Sequence, residues 1–358
     1  MKGAVKILTA FNIPVFIHWS FGLILAYVLY IANDEGLSSG ETVWAVITIL
    51  GLFFCVTLHE FGHALAARRY GVGTKDIALY PIGGIARLER LPKKPIQEFV
   101  VAIAGPLVNF AICLLLLPYM IFMPDSLEIL EVGRSFAGSA SDFLPAMFIL
   151  NLGLGIFNLI PAFPMDGGRI FRALMSLKLD RVKATLVAAR LGQIIAALAV
   201  FYGLQGKLGA TSAFIGFFIF MMAQQEYRFV KTEGKLNSAF VKDIMRTEFT
   251  RFFPEEPMYS AINELRKDVE RNFLVFNRDE KLVGTLDQQD ILKAMKEERR
   301  TSEVNQYMNK KVVAVGKDMT LGKLIEVMRD GFSICPVMEG DEVIGVVDVT
   351  GMNQFMRS

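Results

Sequence analysis

Apolar stretches long enough to enter lipid dominate the first 225 residues, and nothing constrains the fold of this chain more. They run over residues 14–32, 42–58, 99–123, 143–165, 184–205 and 208–225, and only Arg190 interrupts them with a charge. A helix needs roughly 20 mostly apolar residues to cross a bilayer, so these six stretches read as six transmembrane helices. The charges sit elsewhere. Of the 74 Asp, Glu, Lys and Arg residues, 44 fall in residues 226–358 and 30 in the first 225. That division excludes one soluble globule and excludes a disordered chain. A net charge of +2 leaves no basic surplus for phosphates, so nucleic acid is not an expected partner. Cys55, Cys113 and Cys335 are too far apart to suggest a disulfide framework or a zinc ribbon.

The connections alternate in sign. Lys2 and Lys6 precede the first stretch, and Asp34, Glu35 and Glu41 follow it. The next connection carries Arg68, Arg69, Lys75, Arg87, Arg90, Lys93 and Lys94. The one after it has Asp125, Glu128, Glu131 and Asp142 against Arg134 alone. Arg169, Arg172, Lys178, Arg181 and Lys183 lie between the fourth and fifth stretches, and Lys207 alone before the sixth. Basic residues favour the cytoplasmic side. The expectation is a multi-pass protein of the cell membrane with both termini, and the polar last third, in the cytoplasm.

Chemistry concentrates at the end of the second stretch, in Leu58-His59-Glu60-Phe61-Gly62-His63. Residues four apart share a helix face, so His59 and His63 can hold one metal ion, and Glu60 can serve as general base to a water that the ion activates. The chain has three histidines, and two of them make this motif. A third protein ligand is still required. The fourth stretch ends in Asn158-Leu159-Ile160-Pro161-Ala162-Phe163-Pro164-Met165-Asp166-Gly167-Gly168-Arg169. Asp166 is the carboxylate at matching depth, and it also suits the N-cap of a following helix over 167–178. Asn158 reads as a donor to an oxyanion or as an interhelical hydrogen bond. Asn109, in Gly105-Pro106-Leu107-Val108-Asn109, reads as a packing residue near the site. His18 reads as a structural or interfacial histidine, and Cys55, one turn before His59, as a core residue. Residues 73–90, broken by Pro81 and Gly83-Gly84, read as a hairpin or sheet edge that could hold an unwound substrate by main-chain hydrogen bonds.

Together these motifs resemble the site-2 protease family of intramembrane zinc metalloproteases, over about residues 1–230. The resemblance implies one Zn2+ per chain on His59, His63 and Asp166, Glu60 as catalytic acid/base, and a membrane-anchored protein as substrate; Asn158 and Asn109, read from their own positions, are the candidate substrate or oxyanion contacts.

Residues 231–240 read as a polar linker, and a repeat follows. Val241-Lys242-Asp243-Ile244-Met245 matches Val304-Asn305-Gln306-Tyr307-Met308, and 281–287 matches 342–348. Each copy reads strand, helix, strand, strand, helix. The pattern resembles a tandem cystathionine-β-synthase-type (CBS) pair, with domains over 241–298 and 303–358. Such pairs often bind adenine nucleotides, which the resemblance would bring to Asp290 and Asp287. In the second copy Asp348 is followed by Gly351, so the corresponding carboxylate is missing. A purely structural pair, or one that forms a homodimer, is the other reading. The expected fold is therefore a polytopic α-helical membrane protein with six spans and a small β hairpin, joined to a cytosolic α/β tandem CBS domain. Its expected function is intramembrane endoproteolysis; a CBS-gated transporter or channel is the alternative.

Overall fold

Long apolar helices surround a small sheet in the first part of the chain, and two short α/β repeats make up the rest. The computed structural model describes residues 3–81, 83–89, 92, 94–122, 139–207 and 209–357. The expectations resting on Lys2, Arg90, Lys93, Met123, Asp125, Glu128, Glu131, Arg134 and Leu208 lie outside these residues. The chain divides into two compact units, Met1–Arg228 and Phe229–Ser358.

The first unit opens on strands β1 (Ala4–Ala10) and β2 (Ile13–His18), followed by α1 (Phe21–Asp34) and α2 (Ser39–Arg68). Residues 14–18, read as the start of a span, are therefore strand. The alternation Ile13, Val15 inward against Phe16 has a period of two, which an unbroken apolar run conceals. What remains, α1, is about 21 Å long at 1.5 Å per residue, short of the roughly 30 Å hydrocarbon core. Helix α2 begins on a capping box, with Ser38 and Glu41 each accepting the other's backbone N–H. It runs unbroken through the His-Glu-x-x-His motif.

Strands β3 (Thr74–Tyr80) and β4 (Gly83–Leu88) form the hairpin expected in this connection. β2 pairs in parallel with β3, giving one four-stranded sheet in the order β1-β2-β3-β4 with β4 at its edge. Helices α3 (Pro95–Phe122), α4 (Ala140–Asn158), α5 (Asp166–Met175), α6 (Arg181–Leu204) and α7 (Ala210–Ser238) follow. Helix α4 stops at Asn158, before Pro161 and Pro164, so residues 159–165 are a connection and not span. Among the described residues, four helices (α2, α3, α4 and α6) are long and apolar enough to cross a membrane. Helix α7 continues to Ser238. Most of the stretch read as a polar linker is thus helical, because polarity by itself does not break a helix and its Lys, Glu and Leu residues are good helix formers.

The second unit contains β5 (Arg251–Phe252), α8 (Met258–Arg266), β6 (Phe273–Phe276), β7 (Leu282–Leu286) and α9 (Gln288–Lys296), then β8 (Val315–Gly316), α10 (Leu321–Arg329), β9 (Ile334–Glu339), β10 (Glu342–Asp348) and α11 (Val349–Arg357). Each copy makes its own three-stranded sheet, β5-β6-β7 and β10-β9-β8. Each also has its own apolar core, around Phe273, Leu286 and Ile291 in one and Leu321, Leu324 and Val347 in the other.

Ile291 is fully buried. Its replacement by Ala should cost the second unit about 2–5 kcal/mol, read as a lower denaturant midpoint, while leaving the metal content of the first unit unchanged.

Candidate metal centre

Helix α2 turns His59 and His63 to one side, and the connection 159–165 returns the chain so that α5 starts beside them. His59 Nε2 lies 3.1 Å from Asp166 Oδ2, His63 Nε2 lies 3.0 Å from the same oxygen, and the two Nε2 atoms are 3.1 Å apart. All three residues are buried. They are the cluster of metal-capable side chains found among the described residues. Asp166 is the first residue of α5, and Met165 holds the N-cap position expected of it. The turn that delivers it leaves no room for side chains: a Cβ on Gly167 would stand 2.2 Å from the Ile160 carbonyl oxygen.

The other nitrogen of each ring has a defined partner. His63 Nδ1 donates to the Val101 carbonyl at 2.7 Å. His59 Nδ1 donates to Asn109 Oδ1 at 2.6 Å. Asn109 in turn donates from Nδ2 to Asn151 Oδ1 at 2.9 Å, and Asn151 donates to the Met147 carbonyl at 2.8 Å. A carbonyl only accepts, so the ring protons of neutral histidines sit on Nδ1 and both Nε2 atoms present lone pairs. Three lone pairs therefore converge within 3.1 Å in a buried place. A ring proton can point squarely at one neighbour, whereas one central cation answers all three. Two imidazoles and a carboxylate are a fitting donor set for zinc.

Helix α3 supplies the supports from a single stripe. Val101, Gly105 and Asn109 are four residues apart, hence stacked on one face. Gly105 lies between the two ring supports, and a Cβ there would meet His63 Nε2 at 2.3 Å and His59 Nε2 at 2.6 Å. Only glycine lets the helix come this close.

Glu60 points to the sheet. Its Oε2 accepts the Ala86 N–H of β4 at 2.9 Å, and a Cβ on Gly84 would stand 2.7 Å from Glu60 Cγ. Strand alternation turns the main-chain groups of Ala86 and Gly84 away from β3, so the free edge of β4 passes over this carboxylate.

The remaining expected residues are more scattered. Asn109 is fully buried and bonded to His59 and Asn151. Asn158 donates to the Leu154 carbonyl of its own helix at 3.0 Å, and no described contact joins it to the cluster. His18 closes β2 with Nδ1 2.7 Å from Ser20 Oγ. Cys55 is a buried free thiol. Asn151 and the Val101 carbonyl escaped the sequence; the first stands alone in an apolar run, and the second is main chain. In the second unit Asp287 holds the N-cap position of α9 with Oδ1 buried and unbonded, and burial pushes the Asp287 and Asp290 carboxyls up. Its counterpart Asp348 is satisfied, accepting the Gly351 N–H at 2.8 Å and pairing with Arg246 at 3.1 Å.

Comparison with known proteins agrees with these features. The model of peptidase family M50 matches residues 47–132 and 125–201, and that of the CBS domain matches 241–297 and 304–353. A zinc metalloprotease of Methanocaldococcus jannaschii is 32% identical over 356 residues, 99% of this chain and 97% of its own. A Synechocystis sp. protein is 30% identical over 314 residues, 81% of this chain and 78% of its own. Among solved structures, the site-2 protease of Methanocaldococcus jannaschii shares 34% identity with a TM-score of 0.46, covering 63% of this chain and 95% of that one. The family model and the Methanocaldococcus jannaschii metalloprotease, matched over 99% of this chain, favour the hydrolase over the transporter or channel. The chain belongs to peptidase family M50, the site-2 proteases, and is a zinc metalloendopeptidase that carries a pair of CBS domains.

Proposed function

We propose that the protein cleaves membrane-anchored proteins within or at the edge of the bilayer, with one zinc ion held by His59, His63 and Asp166 and with Glu60 as acid/base. The observation that carries this reading is the convergence of three lone pairs, each histidine having its other nitrogen engaged. Bound zinc would polarise the scissile carbonyl and make a water molecule acidic enough to attack at neutral pH. Glu60 takes the proton of the attacking water and passes it to the departing amide nitrogen. Asn109 and the Val101 carbonyl keep both Nε2 lone pairs aimed at the ion.

A helical substrate has its main-chain groups bonded internally, so it must unwind before it can be cut. The free edge of β4 would offer the unwound segment main-chain partners at Gly84 and at the Ala86 carbonyl, next to Glu60, which already accepts the Ala86 N–H. Asn158 remains the candidate oxyanion donor, since its amide sits at the end of α4 just before the Asp166 turn.

The alternating loop charges support six spans, with both termini and the CBS pair in the cytoplasm. The CBS pair would then regulate cleavage or join two copies of the chain. An adenine nucleotide would bind at the first repeat, where Asp287 and Asp290 lie together, and not at the second, where Arg246 already occupies Asp348.

Glu60→Gln should keep one zinc per chain and lose at least about 10²-fold of cleavage of a single-span substrate in detergent. A zinc chelator should stop the wild type. Gly105→Ala pushes a methyl group against both imidazoles, so metal affinity should fall by about 10–100-fold, read by competition with a chromogenic chelator. ATP or AMP should change the cleavage rate, and Asp290→Ala should abolish that response without altering zinc content.

A further inference from the structure

Arg172 is the bulkiest side chain that is fully buried among the described residues, and the proposed reaction does not use it. A guanidinium keeps its charge at any ordinary pH, so its burial calls for partners. Nε donates to Glu98 Oε1 at 2.7 Å, Nη1 donates to Glu226 Oε1 at 2.6 Å, and the guanidinium lies 5.0 Å from the centre of the Phe163 ring. The partners come from three pieces of chain: the start of α3, helix α7 and the connection 159–165.

Their positions relative to the cluster are specific. Phe163 stands three residues before Asp166 and Arg172 six residues after it, so the guanidinium grips the Asp166 segment on both sides. Glu98 lies one turn before Val101, on the same face of α3 that supports both imidazoles. Arg172 therefore refers the carboxylate and the two histidines to one helix. Glu226 adds the third arm. Its side chain is 25% exposed against 5% for Glu98, so it is the arm that water can most readily replace. It lies on α7, close to where the first unit ends and the chain continues into the second.

We propose that Arg172, Glu98 and Glu226 form a clamp that sets Asp166 against His59 and His63 and makes the geometry of the metal centre depend on the placement of α7. The proposal rests on the zinc reading above. All three are positioning residues, since none touches the reacting atoms. A displacement of α7 breaks the Glu226 arm first, and the charge balance around Arg172 then changes next to the segment that carries Asp166. A brace that only held the fold together would alter stability and leave the metal's surroundings as they were.

The test uses the full chain in detergent, loaded with cobalt(II), whose ligand-field spectrum reports the donors around it. Glu226→Gln should fold, shift those bands and release the metal to a chelator about tenfold faster than wild type. Glu226→Asp, which keeps the charge, should move back toward wild type, and Glu233→Gln, two turns further along α7, should match it. If Glu226→Gln does not fold, Arg172→Lys takes its place; it keeps one charge but reaches one carboxylate at a time, and the same shift is expected. A wild-type spectrum and release rate in the folded variant would overturn the clamp and leave the zinc reading standing. Wild type that takes up neither cobalt nor zinc would overturn the zinc reading and the clamp with it.

Discussion

Each imidazole of the motif is pinned by its outer nitrogen, and the rest of the first unit is arranged around that fact. With the His63 proton committed to the Val101 carbonyl and the His59 proton to Asn109, neither ring can rotate to relieve the crowding of lone pairs against Asp166. In a buried place such crowding is costly unless a cation resolves it. The costs of the fold follow from this requirement. Helix α3 must approach within reach of both rings, which demands glycine at 105. The chain after α4 must double back tightly, which demands glycine at 167. The polar relay from Asn109 through Asn151 to the Met147 carbonyl must run through apolar helices with each amide satisfied.

The centre itself was legible because its chemistry needs particular residue types at particular spacings. His-Glu-x-x-His on a helix and Asp-Gly-Gly after two prolines each carry a mechanism in the sequence. What supports the centre was less visible. A main-chain carbonyl has no signature, and Asn151 is one polar residue in an apolar helix. Arg172 read as one of five basic residues marking a cytoplasmic connection, although it is fully buried. The error over residues 14–18 has a related origin. Apolar content decided the reading, and a strand lined with apolar residues on both faces is as free of charge as a helix. Residues 231–238 show the converse, a polar stretch taken for linker that is the end of a helix.

The second unit shows how little a repeated pattern says about repeated chemistry. Both copies fold alike, yet the aspartates at the ends of β7 and β10 differ. Asp348 is bonded to the Gly351 N–H and to Arg246, which also holds Glu270. Asp287 keeps a buried oxygen without a bond, and burial holds its carboxyl and that of Asp290 up. The difference comes from Arg246, which pairs with Val346; the equivalent residue of the other copy, Asn309, pairs with Thr285 in the same way but brings no charge to the aspartate.

The bond between Glu60 and the Ala86 N–H joins the two things an intramembrane protease must coordinate, proton transfer and a partner for an unwound chain. The edge of β4 can add a strand only through groups that face away from β3, and one of these already donates to the carboxylate that would move the proton. A peptide laid along this edge therefore comes to lie beside Glu60 by the geometry of pairing itself. A substrate that stays helical offers no free main-chain groups and gains nothing from the edge. Under the proposed function, selection would fall on how readily a segment unwinds and less on its side chains, because strand addition is written in the main chain.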